Sequence, residues 1–155
     1  MCIRDRPIIM PDDIAKRLPA TSDVRARSMV CRAYRKCLAA KTSPSKHFVA
    51  VDVGCSDAFA RYKVGLHPCL TASRAQQFGW WWSLVGRRAT LPELCRCQGC
   101  ELDDFSGWRE QGITEAAMAH MVGNAMSLNV IERVLIRACW SAGLVRTKPF
   151  DRWAA

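Results

Sequence analysis

Residues 47–54, His-Phe-Val-Ala-Val-Asp-Val-Gly, are the most strand-like stretch of the chain. Valine recurs at every second position from Val49 to Val53, and Gly54 closes the run, a pattern typical of a β-strand. Segments with helical periodicity stand on both sides of it. The sequence therefore predicts a mixed fold of the α+β or α/β class.

The segment before this strand, from Asp23 to Ala40, predicts an amphipathic helix. Asp23 is a suitable N-cap residue, and basic side chains occupy the faces away from the apolar stripe. The apolar stripe consists of Val24, Met29, Val30, Ala33, Tyr34, Cys37 and Leu38. Residues 7–22 contain three prolines and predict extended or turn structure.

The segments after the strand alternate between loops and short regular elements. Residues 54–68 predict a loop, Cys69–Ala72 a short strand, and Phe78–Val85 an aromatic and apolar stretch ending at Gly86. Three helices are predicted beyond it: one near Thr90 running to Gln98, one from Thr114 to Val122, and one opened by Ser127 with Gly143 as its stop signal.

The charge is strongly basic and unevenly distributed. The 155 residues hold 23 Lys and Arg against 14 Asp and Glu, for a formal net charge of +9. Residues 1–50 hold 11 of those basic residues against 4 acidic ones. This imbalance favours an anionic partner, with Arg32 and Arg35 of the predicted helix as candidate phosphate ligands. A basic surface that merely solvates the protein is the alternative.

Composition excludes several classes of protein. Apolar residues make up 50% and charged residues 24%, which is globular and not disordered. No stretch approaches about 18 uncharged apolar residues, so we expect no membrane span. Nine cysteines without a secretory leader indicate thiols in a reducing compartment.

Two blocks near the end of the chain resemble the last two conserved blocks of DNA (cytosine-5)-methyltransferases. The family's first block reads approximately Arg-x-Leu/Thr-x-x-Glu-x-x-Arg-x-Gln-Gly-Phe-Pro-Asp-Asp-Phe, and its second reads Gly-Asn-Ser/Ala-Val/Met-x-x-x-Val. The matching residues of the first block are Arg88, Thr90, Glu93, Arg96, Gln98, Gly99, Asp103, Asp104 and Phe105. Those of the second are Gly123, Asn124, Ala125, Met126 and Val130. Order and spacing agree, and the resemblance covers residues 47–143.

The resemblance implies the C-terminal part of a Rossmann-like, S-adenosylmethionine-dependent enzyme with a small target-recognition region. That family transfers a methyl group to C5 of a flipped-out cytosine in DNA. The family's cofactor loop, Pro-Cys nucleophile loop and Glu-Asn-Val block have no counterpart here, so we expect no catalytic residue in the chain and no activity without an N-terminal catalytic half. A nuclear location is expected for a eukaryotic protein and a cytoplasmic one otherwise.

The expected organisation follows from the same resemblance. Residues 1–6 resemble read-through of a sequencing adapter and are interpreted as a non-native leader. Residues 7–86 are expected to form a basic recognition-like region, residues 87–143 the closing segment of the catalytic domain, and residues 144–155 a tail.

The turn from Gly123 to Ser127 is the main candidate site. A glycine before a helix start permits close backbone approach, and the N–H groups at that start favour an anion. In the family this turn lies near the amino-acid end of the cofactor, which makes Asn124, Ala125 and Met126 candidate cofactor ligands. The family also implies a structural seam at Arg88, Glu93, Arg96, Gln98, Gly99 and Gly123. Hydroxyls and arginine suit DNA phosphates at Thr71, Ser73 and Arg74.

Four other patterns carry weaker hypotheses. Val51–Ser56 resembles a cofactor turn but lacks the later glycines of a dinucleotide site. Pro68-Cys69 resembles the family's nucleophile but lacks the acidic partner. Three cysteines at Cys95, Cys97 and Cys100 offer too few ligands for closed zinc coordination, so no metal is expected. The tryptophans at 80–82 are candidates for base stacking but more often belong to a core.

Two other functions remain open. One is a small, basic DNA-binding module without catalysis. The other is a small methyltransferase built on the Val51–Ser56 turn.

Overall fold

A computed structural model describes residues 10–56, 61–147 and 150–151. The expected leader at residues 1–6 lies outside these ranges, as do residues 148–149 and 152–155 of the expected tail. The described residues fall into two compact units. Within the described ranges, one comprises the residues up to Cys69 together with Gln77–Thr90, and the other comprises Leu70–Gln76 and the residues from Leu91 onwards.

The first unit contains two helices and a small antiparallel sheet in its described part. The elements are helices α1 (Asp12–Ala15) and α2 (Val24–Ala39) and strands β1 (Val49–Asp52), β2 (Tyr62–Val64), β3 (Trp80–Trp82) and β4 (Arg87–Arg88). The strand order is β2-β1-β3-β4. Val51 of the central β1 pairs with Tyr62 on one side and Trp81 on the other.

The core of this unit lies between α2 and one face of the sheet. Val49, Val51 and Trp81 on the sheet pack with Val30 and Tyr34 of α2. All four residues of β1 are buried. A strand covered on both faces reads as a continuous apolar run, which is why residues 47–54 are so conspicuous in the sequence.

The second unit is helical in its described part. Its elements are α3 (Ala72–Gln76), α4 (Leu91–Cys97), a 3-10 turn (Leu102–Asp104), α5 (Glu115–Asn124) and α6 (Leu128–Ser141). Thr114 caps α5 by accepting a hydrogen bond from Ala117 N at 3.2 Å. Gly143, at φ +72°, ends α6 as the sequence predicts.

Most of the predicted elements are confirmed, and three predictions are wrong. Residues 12–15 form a short helix where extended or turn structure is expected, and strand β2 at Tyr62–Val64 lies within the loop expected at residues 54–68. No strand forms at Cys69–Ala72: residues 69–71 are irregular and α3 begins at Ala72, with Ala75 N donating to Thr71 O at 2.9 Å. A four-residue apolar run is ambiguous between helix and strand, and packing against α5 decides it here.

The fold class is therefore a mixture of helices and a small antiparallel sheet. A Rossmann-like arrangement stays a prediction. The expected boundary at residues 86 and 87 lies close to the observed one at 90 and 91, but residues 70–76 belong to the second unit because α3 packs on α5. No helix in the described ranges combines the length and apolar character that crossing a membrane requires.

Candidate functional site

The side chain of Gln98 joins the two blocks that carry the family resemblance. It is 6% exposed, and its Nε2 donates to Val122 O and to Ala125 O, both at 3.0 Å. Its Oε1 accepts from Ser127 Oγ at 2.7 Å. The end of α4 is thereby tied to the end of α5 and the start of α6.

The backbone at Gln98 and Gly99 completes this junction. Gln98 O accepts from Leu128 N, the first residue of α6, at 2.7 Å. Gly99 has φ +82°, and a Cβ there would lie 3.3 Å from Asn129 N. Only a glycine combines this left-handed conformation with so close an approach. We call the set Gln98, Gly99, Ser127 and Leu128 the glutamine junction.

Gly123 has a packing role. It lies inside α5, is buried, and a Cβ on it would come within 2.6 Å of both Ala75 Cβ and Thr71 O. The close approach expected at this glycine is therefore made to α3 of the same unit. The seam that the resemblance implies at Gly123 stays a prediction.

The expected turn at Gly123–Ser127 is shorter than the sequence indicates. Helix α5 continues through Asn124, and Ala125 is its C-cap, with Ala125 N donating to Met121 O at 3.0 Å. Ser127 occupies the N-cap position of α6, but its side chain makes no capping bond. Its hydroxyl instead donates a hydrogen bond to Gln98 Oε1.

At the start of α6, an amide expected to bind an anion already has a partner within the protein. The amide of Leu128 is already bonded to Gln98 O, and Gly99 packs against the amide of Asn129. Helix N-termini bind anions through amides that point at the ligand. At this terminus the Leu128 amide points at the Gln98 carbonyl, and the expected anion site stays a prediction.

A cleft of about 830 Å³ opens beside the glutamine junction. Its lining includes the polar residues Arg96, Glu101 and Asp104 and the apolar residues Val122, Met126 and Leu128. Ala125 lines it as well, while Asn124 is exposed on the same bend. The candidate cofactor ligands thus lie together at or next to one cleft of the second unit.

Charges of both signs face this cleft. Arg96 Nη1 lies 3.4 Å from Glu101 Oε2, and Asp104 Oδ2 accepts from Glu101 N at 2.8 Å. Both members of the ion pair are more than half exposed, so the pair contributes about 0.2–1 kcal/mol at most. Such a lining is suited to a ligand that carries both charges.

Arg88 does not belong to this cleft. Its Nη2 lies 2.9 Å from Asp23 Oδ2, and its Nη1 donates to Phe78 O at 3.2 Å. Asp23 also caps α2 by accepting from Ala26 N at 3.1 Å. The Arg88 guanidinium, together with that capping bond, lowers the pKa of Asp23. Arg88 therefore fastens the start of α2 within the first unit, while Glu93 lies on α4.

The expected phosphate ligands fall into two sets. Thr71, Ser73 and Arg74 lie at the start of α3, with both hydroxyl residues exposed. Arg32 and Arg35 lie on α2 in the first unit, where they line a groove of about 650 Å³ with Arg27, Ser28 and Lys36. The lining of that groove includes no acidic residue.

The weaker hypotheses are mostly disfavoured by geometry. Asp52 is 4% exposed, and its Oδ1 accepts a hydrogen bond from Gly54 N at 3.0 Å, so the carboxylate stabilises the turn that follows β1. Trp80 and Trp81 are 4% and 8% exposed, which leaves little surface for bases. Within the described ranges no group of His, Cys, Asp and Glu has the arrangement of a metal site. Cys69 is exposed, and no further observation supports a role as nucleophile.

Sequence reasoning missed the role of Ser127 in holding Gln98. The two residues are 29 positions apart, and neither spacing nor periodicity connects them. It also missed the pairing of Asp23 with Arg88, although each was singled out for a different reason.

Comparisons with known proteins add no relative. No protein-family model, no curated protein and no solved structure matches the chain.

Proposed function

We propose that the chain is the closing, C-terminal part of a DNA (cytosine-5)-methyltransferase. In that role the second unit supplies one wall of the S-adenosylmethionine site, and DNA is the macromolecular partner. The glutamine junction carries this proposal, because Gln98 bonds to Val122, Ala125 and Ser127 and so joins the two resembling blocks.

The cleft fits the methionine end of this cofactor. Its volume of about 830 Å³ lies in the range of small-molecule sites, roughly 300–1,000 Å³. Arg96 offers a cation for the carboxylate, and Glu101 and Asp104 offer anions for the ammonium and sulfonium charges. The apolar lining at Met126 and Leu128 suits the methylene groups.

The roles of the chain's own residues follow from these contacts. Gln98 positions the bend, Asn124 offers an exposed amide, and Met126 covers one side of the cleft. S-adenosylmethionine, when bound, supplies an electrophilic methyl group. The nucleophile and the proton-transfer groups are assigned to the N-terminal catalytic half, so the 155-residue chain alone is expected to be inactive.

Titration with S-adenosylhomocysteine, followed by amide chemical shifts, tests the proposal. A site with only one wall should bind at roughly millimolar Kd, about −4 kcal/mol, and the shifts should centre on residues 124–126. Asn124→Ala should weaken binding, whereas the exposed-amide control Gln111→Ala should not. Shifts elsewhere, or none at several millimolar ligand, would contradict the proposal.

A second candidate, a basic DNA-binding module without catalysis, is favoured by the groove on α2. Four cationic side chains, Arg27, Arg32, Arg35 and Lys36, line it. If duplex DNA binds through this groove and S-adenosylhomocysteine does not bind at all, the results favour the DNA-binding module over the methyltransferase as the function of the chain.

A further inference from the structure

The end of helix α4 brings two cysteines of the second unit side by side. Gly99, at φ +82°, donates from its amide to Arg96 O at 3.0 Å, and Cys100 N donates to Cys95 O at 3.2 Å. This is a Schellman turn with Gln98 as the C-cap, in which the side chains three residues before and two residues after the C-cap frequently contact one another. Here those two side chains are Cys95 and Cys100.

The two thiols differ in accessibility. Cys95 is fully buried, whereas Cys100 is partly exposed and lines the cleft beside the glutamine junction. Cys100 Sγ donates to Cys95 O at 3.3 Å, which holds the sulfur over the helix end. An oxidant that enters the cleft therefore meets Cys100 first, with Cys95 directly behind it.

We propose that Cys95 and Cys100 are a redox modification site and form a reversible disulfide within the chain when it meets a peroxide. The Cys100 thiolate attacks one peroxide oxygen, the O–O bond breaks, and water leaves after protonation. Cys95 then attacks the resulting sulfenic sulfur, the S–O bond breaks, and the second water leaves. Two thiols are oxidised to one disulfide while one peroxide is reduced to two waters.

The disulfide would close a loop that contains Gln98. The loop runs from Cys95 to Cys100, and Gln98 within it accepts the amide of Leu128 at 2.7 Å. Closing this loop limits opening of the glutamine junction, so oxidation should stabilise the start of α6. The thiol chemistry requires no methyl donor, so its test is independent of the test of the proposed function.

We expect both thiols to react slowly at neutral pH. Burial, together with the neighbouring Cys100 thiol, raises the pKa of Cys95 to about 11, and burial also raises the pKa of Cys100. Since the thiolate is the reactive form, the rate should increase as the pH rises from 7 to 9.

Tryptic peptide mapping of the peroxide-treated full chain tests the proposal. Cleavage after Arg88, Arg96 and Arg109 places Cys95 in one peptide and Cys100, with Cys97, in the next. We expect a cross-linked pair that is lighter by two hydrogens and is released by a dithiol reductant. It should persist in Cys97→Ser and disappear in both Cys100→Ser and Cys95→Ala.

Hydrogen exchange of the Leu128 amide provides a second measurement. Exchange should slow on oxidation in the wild-type chain and in Cys97→Ser, and should be unaffected in Cys100→Ser. A cross-link that depends on Cys97, oxidation of Cys100 to a sulfinic acid without a link, or no cross-link even at pH 9 would each overturn the proposal.

Discussion

At the scale of single residues, Gln98 shows how one buried amide can determine local architecture. Its side chain uses both donor hydrogens and its acceptor oxygen on three different partners. Leucine, of similar size, would leave Ser127 and the carbonyls without those bonds. Burying a polar side chain costs free energy unless its polar atoms form hydrogen bonds. The segments that Gln98 joins supply those hydrogen bonds.

Replacing Gln98 should therefore destabilise the second unit. Gln98→Ala removes the three side-chain bonds and should cost about 1–3 kcal/mol of unfolding free energy. Urea unfolding, followed through the NMR resonances of residues in the second unit, measures this loss of unfolding free energy. The exposed Gln111→Ala is the control and should cost less than about 0.5 kcal/mol. Equal effects of the two variants would contradict the role assigned to Gln98.

Gly123→Ala should also destabilise this unit, although alanine is the better helix former. The added Cβ would meet the Thr71 backbone and Ala75 at 2.6 Å, so α3 and α5 would have to separate. Overpacking of this kind costs about 1–3 kcal/mol, against a gain of about 1 kcal/mol from helix propensity. We expect a net loss in urea unfolding.

The control for this variant is Ala117→Gly, at an exposed position of the same helix. Helix propensity alone predicts opposite signs for the two changes, with a gain for Gly123→Ala and a loss for Ala117→Gly. A gain at Gly123 would show that the contact with α3 is looser than the structure indicates.

At the scale of elements, local sequence determines where most helices begin and end. Asp23 caps α2, Thr114 caps α5 and Gly143 ends α6, each through atoms within a few residues along the chain. Capping interactions join residues that are close together in the chain, so the sequence alone can predict them. The strand predicted at Cys69–Ala72 does not form, because four residues are too few for periodicity to distinguish a strand from an irregular segment that leads into a helix.

Helix α6 has an amphipathic sequence but no buried residue in this chain. Val130, Val134 and Leu135 on its predicted apolar face are 55%, 61% and 57% exposed. Isolated helices of this length are marginal in water, since most helical stability comes from packing. The predicted helix is thus confirmed, and its apolar face is exposed within the described residues.

The pairing of Asp23 with Arg88 predicts a pH effect on the start of α2. The pKa of Asp23 is lowered in the folded state, so its contribution to stability is present above the ordinary carboxyl value of about 3.9 and is lost as the pH falls through the folded value. Both side chains are over one-third exposed, so screening keeps the contribution below about 1 kcal/mol.

Comparison with Asp23→Asn isolates the charge, because asparagine caps helices equally well. The wild-type chain should lose more unfolding free energy between pH 5 and pH 3 than the variant does. A carboxyl NMR titration should place the Asp23 midpoint below 3.9. A midpoint at or above that value would refute the ion pair.

At the scale of the whole molecule, the charge imbalance read from the sequence corresponds to a specific surface. The first 50 residues hold 11 basic side chains, and four cations of α2 line one groove in the first unit. Clustered cations bind nucleic-acid phosphates with a characteristic dependence on salt, because each contact releases a counterion.

Arg32→Ala combined with Arg35→Ala should weaken binding of duplex DNA and flatten its salt dependence. The slope of log K against log salt should fall in magnitude by about 2, approximately 1 for each lost phosphate contact. Fluorescence anisotropy at several salt concentrations measures this slope. The control pair Arg61→Ala and Lys63→Ala removes the same charge from other exposed positions of the first unit. If the two pairs have the same effect, the groove is not a binding surface.

The sequence by itself determined the caps of α2 and α5, the central buried strand, the location of the basic helix and the two blocks that carry the family resemblance. These features depend on residues a few positions apart, whose interactions follow from backbone geometry. Only the tertiary structure decided that α3 is a helix, that Gly123 packs against it, and that Gln98 holds Ser127. The contacts of Gln98 and Gly123 join residues that are far apart in the chain. Gln98 and Val122, for example, are 24 positions apart, and Gly123 packs against Ala75 of α3. No local propensity specifies which distant segment supplies the partner, because that choice depends on how the whole unit packs.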